Sequence, residues 1–133
     1  MKISEIEGLG EVFCKKLEEI GIATVEALLE KGATPAGRKE IAEKTGISPK
    51  IILRSVNHAD LFRIKGVSSQ YADLLEEAGV DTVVELAGRR ADNLAAKMAA
   101  INEEKNLVRK VPTESQVADW IAQAKELPRA VHY

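Results

Sequence analysis

I-E-G-L-G-E-V-F-C-K-K-L-E-E-I-G-I-A-T-V, from Ile6 to Val25, returns 58 positions later as I-K-G-V-S-S-Q-Y-A-D-L-L-E-E-A-G-V-D-T-V, from Ile64 to Val83. Between Ile6–Glu30 and Ile64–Gly88, 9 of 25 positions are identical and no gap is needed. They include Gly8/Gly66, Leu17/Leu75, Gly21/Gly79 and Thr24/Thr82, while Leu9/Val67, Phe13/Tyr71, Cys14/Ala72 and Ile22/Val80 are conservative. A self-match at fixed spacing is the first thing to settle in a new sequence, because it decides the organisation of the whole chain. Working outward, R-K-E-I-A-E-K from Arg38 pairs more loosely with A-D-N-L-A-A-K from Ala91. S-P-K-I-I-L-R-S-V from Ser48 pairs with T-E-S-Q-V-A-D-W-I from Thr113. The chain reads as two pseudo-repeats, residues 1–61 and 62–133, with a longer connecting loop over Asn102–Pro112 in the second.

The repeated piece carries its own physics. Gly8 and Gly66 permit a tight turn with positive φ or a close backbone approach. Leu9 or Val67 plugs the turn into the core, and Gly10 or Ser68 opens the next helix with its first amides free. The small residue at Cys14 or Ala72 lets two helices cross closely, and Gly21 or Gly79 stops the helix.

No sustained alternation marks a strand, so the expected class is all-α. Helices are expected over Glu11–Ile20, from Thr24 to Gly32, from Pro35 to Gly46, from Pro49 to about Asp60, over Ser69–Ala78, after Thr82, from Asp92 to about Asn102, and over Glu114–Leu127. Thr34-Pro35 and Ser48-Pro49 are cap-plus-proline starts, and Thr113 with Gln116 forms a capping box. About eight helices in one compact domain follow. Only Lys2–Ile6 precede the first hairpin, so repeat logic sends the last helix, through Val117 and Trp120, to the missing helix's place beside residues 1–20.

The pattern of glycines, small residue, apolar positions and trailing G-h-x-T resembles the helix-hairpin-helix motif of DNA repair and recombination proteins. Almost the whole chain also resembles an uncharacterised bacterial family of tandem helix-hairpin-helix proteins, catalogued as a domain of unknown function. G-A-T-P-A-G-R-K-E-I-A (Gly32–Ala42), N-H-A-D-L-F-R-I-K-G-V (Asn57–Val67) and V-A-D-W-I (Val117–Ile121) carry that likeness. In the helix-hairpin-helix class, hairpin amides at a helix N-terminus hold a DNA phosphate. The resemblance therefore implies phosphate sites at Gly8 and Gly10, and at Gly66, Val67, Ser68 and Ser69 with Arg63 and Lys65 assisting. Glu7 and Glu11 flank the first hairpin and repel a phosphate. The second hairpin is thus the better candidate, although it lacks the second glycine.

Local charge agrees with this choice. The formal net charge of -2 and pI of about 5.8 exclude a coat of positive charge. That total conceals -3 over residues 1–32, +4 over 33–66 and -3 over 67–133. The central segment holds Arg38, Lys39, Lys44, Lys50, Arg54, Arg63 and Lys65, a basic patch if they converge and a solvated helix face if they do not.

Other features point away from chemistry. One cysteine, Cys14, excludes an internal disulfide and a multi-cysteine zinc site, and reads as a buried inert thiol. His58 and Asp60 read as a local helix-end cap and turn, Trp120 as core, and Glu18-Glu19 with Glu76-Glu77 as solvated faces. At 4% aromatic, the chain has no broad base-stacking platform. There is no phosphate loop, dinucleotide fingerprint or nucleophile elbow, and no motif places the catalytic Lys or Asp that the resembling glycosylases require. No signal-peptide or membrane-span pattern occurs, which makes the cytoplasm the default compartment. The expectation is a non-enzymatic module without cofactor or metal, binding a DNA or RNA backbone weakly and without sequence preference. The alternative is a protein-interaction adaptor or homo-oligomer on the same fold. Oligomeric state stays open.

Overall fold

Most helices begin where a short polar side chain takes up a first-turn amide, and those that follow Gly10 and Arg90 have no side-chain cap. Thr24, Thr34, Thr82 and Thr113 accept from the N–H groups of Ala27, Gly37, Glu85 and Gln116 at 3.1, 3.1, 3.4 and 3.1 Å. At Thr113 the Gln116 side chain also accepts from the cap's own N–H, completing the box. The computed structural model describes all 133 residues. It contains a single 3-10 turn, Ile3–Glu5, and eight α-helices and no strand: α1 (Glu11–Glu19), α2 (Val25–Lys31), α3 (Pro35–Thr45), α4 (Pro49–Leu61), α5 (Ser69–Glu77), α6 (Val83–Ala87), α7 (Ala91–Lys105) and α8 (Glu114–Glu126). The chain divides into two compact units, Met1–Asp60 with Ala130–Tyr133, and Leu61–Arg129.

In the first unit α3 packs on α1 and α2. Leu17 of α1 and Leu28 of α2 are fully buried on the faces their helical spacing predicts, and Ile22 in the connection between them is buried too. The N-terminus is stitched to the start of α2 by Ile3 N–H to Ala23 O at 3.3 Å and Val25 N–H to Met1 O at 2.9 Å. Gly37 is required sterically, since a Cβ there would run into the Lys31 backbone carbonyl, which cannot swing away. Cys14 is buried with its thiol 3.6 Å from the Leu9 carbonyl. Burial, with Glu18 and Glu11 adding to it, pushes the thiol pKa up, so it is a poor nucleophile. His58 and Asp60, at the end of α4, are fully buried.

The last four residues belong to this unit, and Arg38 holds them there. Arg38 is 8% exposed and donates to Gly32 O at 2.8 Å and to His132 O at 2.7 Å. Its guanidinium lies 6.0 Å from the Tyr133 ring centre, and His132 N–H reaches Ala33 O at 2.7 Å. Arg38→Met keeps the stem's packing but removes both donors. It is expected to loosen the tail by about 2 kcal/mol, the usual cost of orphaning buried acceptors. Native-state hydrogen exchange reads this at the His132 amide, and unchanged protection there contradicts the strap.

The second unit is built on Leu61, Ile64, Val67, Leu74, Leu75, Val80, Leu86, Leu94 and Met98 from its first three helices and their connections. Val117, Trp120, Ile121 and Ala124 of α8 complete this core, with α8 packed on α6 and α7. The stripe of α8 that repeat logic assigns to residues 1–20 lies in the core of the second unit. There Trp120 meets Gly66. The connecting loop is also shorter than expected. Glu103, Glu104 and Lys105 favour helix, so α7 runs on until Asn106 takes a left-handed conformation at φ 51°. Asn102 then brackets the returning chain, donating to Val108 O at 3.0 Å and accepting from its N–H at 2.9 Å.

Candidate phosphate-binding hairpins

Ile6–Val25 and Ile64–Val83 form the same local structure. Ile6 N–H bonds Ile3 O and Leu9 N–H bonds Ile6 O, at 3.1 and 3.2 Å. Ile64 N–H bonds Leu61 O and Val67 N–H bonds Ile64 O, again at 3.1 and 3.2 Å. At the far end of each following helix, Ile22 N–H returns to Leu17 O and Val80 N–H to Leu75 O, both at 2.9 Å. Leu9 and Val67 are buried plugs, 6% and 5% exposed. Gly8 and Gly66 have φ of 82° and 99°, a region that penalises any Cβ.

The second glycine of the motif is dispensable. Gly10 has φ -70° and ψ 171°, Ser68 has φ -85° and ψ 175°, and nothing lies within 4 Å of a Cβ placed on Gly10. This extended geometry suits any L-residue, so Ser68 loses nothing as a hairpin residue and gains a cap. Its Oγ accepts from Tyr71 N–H at 3.4 Å, leaving the earlier amides of α5 outside the helical ladder. No acid occupies the first turn of α5, whereas Glu11 opens α1.

The charged side chains separate into two groups. Three of the central arginines serve the fold. Arg38 is buried on the tail, Arg63 donates to Pro128 O at 2.7 Å, and Arg54 donates to Glu7 O at 3.0 Å. Lys44 pairs with Glu40 at 2.8 Å. Lys39, Lys50 and Lys65 are exposed, and Lys65 is the one built into a hairpin. Its side chain is free to sweep solvent, but its backbone is clamped. Gln123 accepts from Lys65 N–H at 2.8 Å and donates to Lys65 O at 3.1 Å. Asp119 in turn fixes the Gln123 amide at 3.0 Å, which puts one carboxylate near the hairpin.

Sequence reasoning missed three of these participants. Arg54 sits directly against Gly8, where its Nη1 would collide with a Cβ. Gln123 clamps Lys65, and Trp120 Nε1 lies 3.0 Å from the position of a Cβ on Gly66. All three lie on the last helix of their own unit, Arg54 and Trp120 inside the two segments that pair loosely and Gln123 two residues beyond. That pairing was the available signal.

The other basic pair, Arg89 and Arg90, borders an open hollow of about 660 Å³ together with Asp92, Glu114 and Lys125. Arg90 is paired to Asp92 at 3.0 Å and Arg89 donates to Ala78 O at 3.4 Å, so the charge there is mixed and mostly engaged. No helix is long and apolar enough to cross a membrane.

No curated protein and no solved structure matches the chain. A family model described as Domain of unknown function (DUF4332) matches residues 7–127, a span that takes in Gly8, Gly66 and all eight helices. The chain belongs to that family.

Proposed function

We propose that this chain is a tandem helix-hairpin-helix module that holds nucleic-acid phosphate at its second hairpin, without catalysis and without reading sequence. The observation that carries this is the junction Lys65–Ser69. A left-handed Gly66 turn leads into α5, whose first amides lack intrahelical acceptors, with an exposed lysine alongside and no acid in the first turn. Amides and helix dipole together favour an anion there. Such contacts position a backbone and carry no base information. The first hairpin shares the backbone but has exposed Glu7 and Glu11, and Arg54 is turned onto the Glu7 carbonyl, which supports a structural role for it.

Lys65→Glu tests the assignment. It leaves the Gln123 clamp intact, because that clamp holds backbone atoms. Fluorescence anisotropy of labelled single- and double-stranded DNA at low salt is expected to show about tenfold weaker binding, the loss of one charge-assisted contact. Lys39→Glu, exposed on α3, changes the net charge equally and is expected to cost less than about twofold. Equal losses from the two variants contradict a localised site. Absence of any low-salt binding, together with a stable dimer or a captured protein partner, favours the adaptor reading instead.

A further inference from the structure

The chain leaves α8 at Glu126 and re-enters the first unit at Ala130. Leu127, Pro128 and Arg129 make the whole connection. It is stiff. Leu127 is extended at φ -98° and ψ 139°, as suits a residue before proline, and the proline ring fixes the next φ. Arg63 holds Pro128 O at 2.7 Å within the second unit, and Arg38 holds His132 O at 2.7 Å within the first.

The first unit receives the tail as it would receive a peptide. Arg38, 8% exposed, gives one nitrogen to Gly32 O and the other to His132 O. Ala33 O accepts from His132 N–H at 2.7 Å, so the tail pairs by backbone with the connection between α2 and α3. Val131 is 1% exposed. The Tyr133 ring lies beside the Arg38 guanidinium, and its hydroxyl donates to Asn57 Oδ1 at 3.4 Å. Ala130–Tyr133 carries all of these contacts, and none depends on which copy of the chain supplies it.

We propose that the tail site is an interface between two copies of this chain, each docking its residues 130–133 on the first unit of the other about a hinge at residues 127–129. The partner copy then supplies the buried valine and the acceptor for Arg38 that complete the first unit. The exchanged dimer keeps every tail contact of the closed monomer, so exchange costs the entropy of association and little else. A short, stiff hinge favours it, because little free chain is available for closing within one copy. The proposal does not rest on the phosphate reading of the second hairpin.

The full chain is refolded from urea at dilute and at millimolar protein, and light scattering measures its mass. A dimer fraction that rises with concentration is expected. An equal mixture of isotope-labelled and unlabelled chain is expected to give nuclear Overhauser contacts between copies, from the Tyr133 ring to the Arg38 side chain. Two variants separate exchange from an ordinary dimer. Arg38→Met weakens the docked tail equally in monomer and dimer. It is therefore expected to speed interconversion about thirtyfold while changing the equilibrium dimer fraction by less than about twofold. A flexible Gly/Ser insert of about six residues after Arg129 eases closure within one copy and is expected to lower the dimer fraction about tenfold. A monomer at every concentration overturns the proposal. So does a dimer without the Tyr133–Arg38 contact between copies, or one that Arg38→Met dissociates.

Discussion

Trp120→Ala is expected to cost the second unit about 4 kcal/mol. The ring is 2% exposed and sits in the same cluster as Val67, Leu75 and Val117, with Tyr71 against its face. Truncation removes the contacts and leaves a void beneath a turn that cannot collapse easily. Gly66 lies on one side of it, and α8 is held on the other by its packing against α6 and α7. Urea unfolding followed by circular dichroism measures the change, with amide exchange in α5 and α8 locating it. A loss below about 1 kcal/mol would mean that the hairpin settles into the space, and that α8 does not hold it in place.

Gly66→Val is expected to cost about 3 kcal/mol and to abolish phosphate binding at the second hairpin. Two penalties combine. A branched side chain at φ 99° is strained by roughly 1–2 kcal/mol. Its Cβ would also stand 3.0 Å from Trp120 Nε1, with further carbons to place, an overpacking of about 1–3 kcal/mol. Gly10→Ala makes the contrast, since its φ of -70° and open surroundings predict a change within about 0.5 kcal/mol. Thermal and urea denaturation of both variants check the pair. Similar losses at Gly10 and Gly66 would contradict the claim that only the first glycine of each hairpin is constrained.

These contrasts show where local signals stop. Caps and stops are local, so Thr24, Thr34-Pro35, Thr82 and the Thr113/Gln116 box appear in the structure where the sequence places them. The plugs Leu9 and Val67 and the buried thiol of Cys14 follow from spacing in the same way. What the residues near a hairpin could not disclose is which distant side chain would lie against it. Arg54 on Gly8, Trp120 on Gly66 and Gln123 on Lys65 are contacts over roughly half the chain, set by which unit claims each last helix. An apolar stripe at helical spacing shows that α8 is buried but not against which helices, and in the second unit it packs on α6 and α7.

Charge shows the same limit from the other side. The excess of +4 over residues 33–66 is correct as arithmetic, yet Arg38, Arg54 and Arg63 turn to backbone carbonyls. An arginine in a basic run and an arginine that ties down a chain end look identical until the carbonyls are placed. For the second hairpin this leaves a small electrostatic footprint, consisting of one exposed lysine and the first amides of α5. Weak binding that neutralises few phosphates is therefore expected.

That prediction is tested most directly by the salt dependence of DNA affinity. Anisotropy of a labelled duplex, measured across a series of salt concentrations, is expected to give a linear fall of log affinity with log salt. A slope of about -1 to -3 is expected, corresponding to one to three phosphates. The slope should become shallower by about one in Lys65→Glu. No binding even at low salt, or binding whose slope is the same in Lys65→Glu, would contradict a phosphate site at the second hairpin.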